Sequence, residues 1–205
     1  MSIQTERRMP PQDTEIKQQV RQRFANVARS PKSEQVFPVG PDSAKALGYD
    51  SNEIDGLPAE VTESFSGVGN PLSLGDIENG QTVLDLGCGA GLDSILAARR
   101  VRPTGTVIGI DMTTEMLDKA KRNAVSVDLN NIDFRLGEAD ELQVEDETVD
   151  VVITNGVFNL CLDKPKVLSE LYRVLRPCGH LQMADILLHD DVTQEEVADK
   201  GTWSD

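Results

Sequence analysis

The sequence is poor in the residues that build metal and nucleophile sites, with three cysteines (Cys88, Cys161, Cys178) and two histidines (His180, His189) among 205 residues. No two cysteines stand at the spacing of a zinc pair or a redox motif, which argues against structural zinc and reads as reduced thiols. Neither histidine has a Ser/His/Asp order or a paired carboxylate around it, so general acid–base catalysis has no evident carrier. Basic residues are also short, 20 Lys and Arg against 35 Asp and Glu, a net charge of −15. Phosphate surfaces would repel such a chain, which argues against nucleic-acid and anionic-membrane partners. No apolar run approaches the roughly 20 residues needed to span a bilayer. The opening MSIQTERRMPPQDTE lacks the hydrophobic stretch of a secretory signal, so a cytoplasmic protein is expected.

What is present is the composition of an ordinary globular protein, 39% hydrophobic and 27% charged. The length suits one sizeable core. Residues 1–13 are polar and carry Pro10 and Pro11, as a loose arm would. Ile16, Val20, Phe24 and Val27 then recur at helical spacing and predict an amphipathic helix over Thr14–Ala28. Residues 30–80 are broken by five prolines and several glycines, which leaves room only for short helical pieces.

From Thr82 the pattern changes. Short apolar runs predict strands at Thr82–Leu86, Thr106–Ile110, Ile132–Leu136, Val149–Thr154 and His180–Leu188. Helical patterns fall at Leu92–Val101, Thr114–Val127 and Lys164–Leu175, with a short one near Thr193–Lys200. Strands that alternate with helices imply βαβ units, an α/β doubly wound, mostly parallel sheet with helices on both faces. The division expected is an arm and helical lid over 1–80 and a ligand-binding core over 81–205.

The sharpest motif is Val83-Leu84-Asp85-Leu86-Gly87-Cys88-Gly89-Ala90-Gly91, a strand running into a glycine-rich turn and then a helix. Such a corner is where doubly wound folds bind ligands, because glycine lets backbone approach closely and adopts conformations barred to larger residues. The second strand ends in Asp111, 20 residues beyond Gly91, where a carboxylate can accept both hydroxyl protons of a ribose. Met112 beside it suits an apolar contact with an adenine face. A dinucleotide fingerprint wants glycines at 87, 89 and 92. Here the third glycine comes early, at 91, and position 92 is Leu. That spacing favours S-adenosyl-L-methionine over a nicotinamide cofactor, with a nicotinamide-dependent oxidoreductase as the rival.

Residues 82–188 resemble class I S-adenosylmethionine-dependent methyltransferases, from Asp-Leu-Gly-Cys-Gly-Ala-Gly at 85–91 to Arg-Val-Leu-Arg-Pro-Cys-Gly-His at 173–180. More narrowly, residues 14–205 are similar to the arsenite methyltransferase branch. The matching segments are Leu47-Gly48-Tyr49-Asp50, Val68-Gly69-Asn70-Pro71, Gly109-Ile110-Asp111-Met112-Thr113 and Asn155-Gly156-Val157-Phe158-Asn159-Leu160. The resemblance implies a Rossmann-like fold and methyl transfer from S-adenosyl-L-methionine to a small-molecule acceptor. It assigns Asp85, Gly87, Cys88, Gly89, Gly91, Asp111 and Met112 to cofactor binding. Glu138 and the backbone of Ala139 are expected at adenine, and Asn155 beside the methyl group.

The same resemblance exposes departures. Arsenite methyltransferases hold trivalent arsenic through thiolates, soft ligands for a soft centre. At two of those positions this chain has Val68 and Gly156. Cys161 lies five residues beyond Gly156, and Cys88 and Cys178 suit packing. These two positions put direct arsenic methylation in question, and a metalloid species or a small carbon or oxygen nucleophile stands as the acceptor. A quinone-biosynthesis-like C- or O-methyltransferase and a non-catalytic cofactor-binding protein stand as alternatives. The family's sheet carries a hairpin beyond the fifth strand, and this chain stops at Asp205. The fold is thus expected to be truncated after the fifth strand, with an exposed sheet edge through which two copies would pair.

Overall fold

The structure is a computed structural model that describes residues 11–34 and 36–187. Five strands form one wholly parallel sheet, β1 (Thr82–Leu86), β2 (Thr106–Asp111), β3 (Ile132–Leu136), β4 (Val149–Asn155) and β5 (Leu175–Ala184), in the order β3-β2-β1-β4-β5. Three crossovers are helical: α5 (Leu92–Val101) follows β1, α6 (Thr114–Ser126) follows β2, and α7 (Lys164–Val174) follows β4. Upstream lie α1 (Pro11–Arg29), α2 (Pro41–Ala46), α3 (Ser51–Asp55) and α4 (Ala59–Thr62). Among the described residues no helix is long and apolar enough to cross a membrane.

The two faces of the sheet are covered by different elements. On one, Val83, Val107, Val151 and Ile153 pack with Ile95 of α5 and Leu117 of α6. Tyr49, Ile54, Val61 and Phe65 join that same cluster, so the short helices upstream of the sheet share its core. On the other face Leu84, Leu86, Ile110 and Val152 meet Val167, Leu171 and Val174 of α7. Burial on both sides is why β1 and β4 read as nearly unbroken apolar runs. It also makes the pair β1 and β4 the switch point, since their following chains leave toward opposite faces and open a crevice between them.

Most predicted elements lie within one or two residues of their expected ends, but two differ. The first helix starts at Pro11 instead of Thr14, a start that suits proline because the first-turn N–H has no helical partner anyway. The last strand begins at Leu175, directly after α7, not at His180, and ends at Ala184. Its register against β4 jumps from Val149↔Leu175 to Val151↔His180. Residues 176–179 therefore bulge out of the ladder, with Cys178 at φ 69° and Arg176 paired to Asp150. Pro177 has no N–H to give the ladder, so the expected turn is absorbed as a bulge and the strand continues. Leu188 and the helical pattern near 193–200 lie outside the described residues.

Candidate functional site

The crevice at the switch point opens into a cleft lined by Gly87, Gly89, Asp111, Met112, Glu138 and Ala139, with Lys17, Val20 and Phe24 of α1 across its mouth. A smaller hollow adjoins it, walled by Asp85, Cys88, Asp93, Asn155 and residues 66–67. Every site residue expected from the sequence except Gly91 lines one of these two spaces.

The glycine turn is dictated by its neighbours. Gly87, Gly89 and Gly91 all have positive φ (72°, 51° and 90°). A Cβ on Gly87 would sit 2.2 Å from Val157, and one on Gly91 would crowd Ala120 and Phe134 at 3.1 and 3.2 Å. Gly91 acts by letting α5 start close against α6 and β3, one step back from the cleft. The N–H groups of Gly87 and Cys88 both donate to the Ile110 carbonyl, at 2.7 and 3.0 Å, and tie the turn to β2. Cys88 is buried, and burial pushes its thiol up, so it is a packing residue with no thiolate to offer.

Asp111 sits at the tip of β2. One carboxylate oxygen accepts the Gly89 N–H at 2.9 Å and the other the Thr113 N–H at 2.8 Å. The Thr113 hydroxyl and the Met112 N–H also favour the charged form of Asp111, and a carboxylate with about four acceptor positions can share them with a donor in the cleft. Gly137 N–H donates to the Asp111 carbonyl at 3.0 Å, which sets Glu138 and Ala139 beside Met112 on the rim. Glu138 is already paired with Lys17 and Arg21 of α1. Burial alone would raise its carboxyl, but the two cations outweigh that and hold it below the usual range. Lys17 also lies 3.5 Å from Asp140, so α1 is fastened across the cleft by charge.

Beneath the turn lies a buried polar network that sequence reasoning only half found. Asp85 accepts from Ser94 Oγ at 2.5 Å. Asp93 accepts from the Tyr49 hydroxyl at 2.5 Å and from Asn155 Nδ2 at 3.1 Å. Asn155 further donates to Tyr49 and the Gly69 carbonyl and accepts from the N–H groups of Val68 and Gly69. Its side chain thus joins the end of β4, the start of α5 and the loop at 67–69. Asp93 had a visible signal, a lone carboxylate on a helix otherwise apolar through Leu92, Ile95, Leu96 and Ala97. Tyr49 stood in the Leu47–Asp50 segment that carries the resemblance, but nothing along the chain names its partner, which is 44 residues away.

Burial raises the carboxyls of Asp85, Asp93 and Asp111 alike, and the charges of Asp93 and Asp111 push Asp85 further. Three carboxylates crowd one glycine turn, while the hollow itself is lined by no cationic side chain among the described residues. Such a site suits a ligand that brings positive charge. Among the described residues no group of three or more His, Cys, Asp or Glu side chains is placed to hold a metal ion.

Comparison with known proteins adds the chemistry these shapes serve elsewhere. The methyltransferase-domain family matches residues 77–204. An arsenite methyltransferase of Halobacterium salinarum is 46% identical over 144 residues, 70% of this chain and 37% of that protein. A demethylmenaquinone methyltransferase of Listeria monocytogenes is 35% identical over 109 residues, 53% of this chain and 46% of that protein. Among solved structures, an arsenic(III) S-adenosylmethionine methyltransferase from Chlamydomonas reinhardtii superposes with a TM-score of 0.56 at 37% identity, covering 72% of this chain and 49% of that one. An S-adenosylmethionine-dependent methyltransferase from Aquifex aeolicus gives a TM-score of 0.55 at 27% identity, over 78% and 81% of the two chains. The chain thus spans less than half the length of the curated relatives named above.

Proposed function

The chain belongs to the methyltransferase-domain family, and from that premise we propose that it binds S-adenosyl-L-methionine in the switch-point cleft and directs its methyl group to a small acceptor. The observation that carries this reading is the trio of buried carboxylates at the glycine turn, Asp85, Asp93 and Asp111. S-adenosylmethionine, the cofactor of this family, brings an ammonium and a sulfonium beside one carboxylate, a net positive charge whose approach would favour ionisation of carboxyls that burial otherwise holds toward the neutral form. The doubly anionic pyrophosphate of a nicotinamide cofactor would meet repulsion there, which weighs against the oxidoreductase alternative.

In this reading Asp111 accepts the ribose hydroxyls while its two backbone bonds keep it aimed. Met112 packs on the adenine face, and Glu138 with the Ala139 N–H meets the adenine edge. Gly87 and Gly89 keep the turn thin enough for close approach. Asp85 and Asp93 compensate the ammonium, and Asn155 holds the 67–69 loop over the methyl position. When bound, the sulfonium supplies an already activated methyl donor, so the chain's own task is to position it in line with the acceptor and to exclude water. That fits a cleft lined by no histidine among the described residues.

The acceptor is proposed to be something other than trivalent arsenic, since Val68 and Gly156 bring no thiolate. A quinol-type carbon or oxygen nucleophile is the alternative that the demethylmenaquinone methyltransferase relative supports. A cytoplasmic setting is part of the same proposal and is supported by the three free thiols. Calorimetric titration tests the cofactor, with S-adenosylhomocysteine expected to bind and NADH not. Asp111→Ala should weaken S-adenosylhomocysteine by about 1.5–3 kcal/mol, the scale of hydrogen bonds to a charged group. Unchanged affinity in the folded variant would remove the central assignment. Binding without methyl transfer to any of a panel of acceptors would favour the non-catalytic alternative.

A further inference from the structure

A carboxylate in the first turn of a helix ordinarily sits at the surface, where the helix dipole favours it. Asp93, the second residue of α5, is buried instead, with 7% of its surface exposed. The Tyr49 hydroxyl donates to one of its oxygens at 2.5 Å and the Asn155 amide to the other at 3.1 Å. The Tyr49 ring is itself held by an edge-on contact with Phe65, their centroids 5.2 Å apart. Burial pushes the Tyr49 hydroxyl up, so it stays protonated and keeps donating. Asp93 and Asp85 wall the hollow that adjoins the cofactor cleft, and Asp111 stands at the cleft itself. The Arg100 charge reaches Asp93 along α5, but that guanidinium donates to the Leu72 carbonyl at 2.9 Å and lines neither space.

We infer that Asp93, held by Tyr49, is the specificity residue that tells the charged methyl donor from its product. The inference deepens the proposed function and rests on it for where the ligand lies. S-adenosylmethionine and S-adenosylhomocysteine share an ammonium and a carboxylate. They differ by one methyl group and by the positive charge of the sulfonium. As the methyl passes to the acceptor, the electron pair of the S–CH3 bond stays on sulfur, and the ligand loses its net charge. A charge is felt at a distance where water is excluded, so Asp93 needs no contact with the sulfur. With the sulfonium gone its carboxylate loses a partner charge, which favours uptake of a proton from solvent. Burial raises the Asp93 carboxyl, while its bonds to Tyr49 and Asn155 and the Arg100 charge work the other way. Asp85, pushed up by burial and by Asp93 and Asp111, and the buried Cys88 thiol are the other ionisable groups at this turn among the described residues.

The test titrates two ligands into the full chain by calorimetry: S-adenosylhomocysteine, and sinefungin, which carries a protonated amine in place of the methylated sulfur. The affinity ratio of sinefungin to S-adenosylhomocysteine should rise about tenfold from about pH 5 to pH 8, as Asp93 passes to its charged form. Asp93→Asn keeps the shape. It should weaken both ligands, since both bring the ammonium, but sinefungin by about tenfold more, and it should flatten the pH dependence. Tyr49→Phe removes a bond that favours the charged form, so the same rise should move to higher pH. A purely structural part for Tyr49 would weaken both ligands alike and leave the midpoint in place. A ratio that does not change with pH, an Asp93→Asn ratio equal to the parent's, or an unshifted midpoint in Tyr49→Phe would overturn the inference. So would a rise abolished by Asp85→Asn and kept in Asp93→Asn. In each of these cases both ligands still bind, and the cofactor reading stands. A parent chain that binds neither removes that reading and this inference together. Should Asp93→Asn fail to fold, the parent's pH profile and Tyr49→Phe decide.

Discussion

Replacing Asn155 by alanine tests whether the polar network beneath the glycine turn holds the site together. The truncation removes two accepted hydrogen bonds, from the N–H groups of Val68 and Gly69, and the two N–H donors that the amide shares among the Gly69 carbonyl, the Tyr49 hydroxyl and the Asp93 carboxylate. At about 1 kcal/mol net for each of four bonds, the upper bound is near 4 kcal/mol. Val68 and Gly69 are half-exposed, so water can replace their partners, whereas buried Asp93 and Tyr49 have less recourse. A loss of about 3 kcal/mol follows, which for a chain of this size lowers Tm by about 6–12 °C. Differential scanning calorimetry reads it.

Asn155→Asp sharpens the test. It keeps the oxygen that the 67–69 loop uses but sets a second carboxylate where the amide nitrogen lay 3.1 Å from Asp93. Burial already raises Asp93, and the new neighbour raises the pair further. A folded-state pKa above the unfolded value stabilises the protein below the unfolded value, and that stabilisation is lost as pH rises through the folded one. The Tm deficit of Asn155→Asp should therefore be small near pH 4–5 and should widen toward pH 7. A folded Asn155→Ala protein whose Tm lies within about 2 °C of the parent, or an Asn155→Asp deficit that does not change with pH, would refute the reasoning.

The other predictions concern the lid, the acceptor wall and the sheet edge. Glu138→Gln should speed amide exchange along α1 while costing under about 1 kcal/mol of global stability, because partly exposed pairs are worth little. In the parent, where Glu138 is held below its ordinary 4.5, the same loosening should appear only as pH falls beneath that value; unaltered exchange would mean that charge does not fasten α1. Val68→Cys combined with Gly156→Cys should create a tight arsenite site, read by calorimetry, at a cost of about 1–2 kcal/mol because residue 156 has φ 69°. No gain in arsenite affinity would show that those two positions are not the ones that matter. The outer edge of β5 pairs with no strand among the described residues, so we propose that the chain dimerises through it. Light scattering that returns the monomer mass at every concentration would dismiss the dimer.

The parts of this protein legible in its sequence are those carried by neighbours along the chain. Alternating apolar strands and helices, the glycine turn at 87–91 and the carboxylate closing β2 are short-range patterns. A parallel sheet buried on both faces and a turn that excludes Cβ atoms write them directly into residue type. The partnerships within the site are not of that kind. Glu138 meets Lys17 across 121 residues, Asn155 meets Tyr49 across 106, and Val68 comes to rest against Gly156. The start of β5 belongs with them, because whether Arg176 to Gly179 end a strand or bulge from it is decided by β4, which supplies the ladder and the Asp150 partner. Periodicity reports which way a side chain faces relative to its own element. What it faces depends on where the chain brings a distant segment back, and only the packed fold decides that.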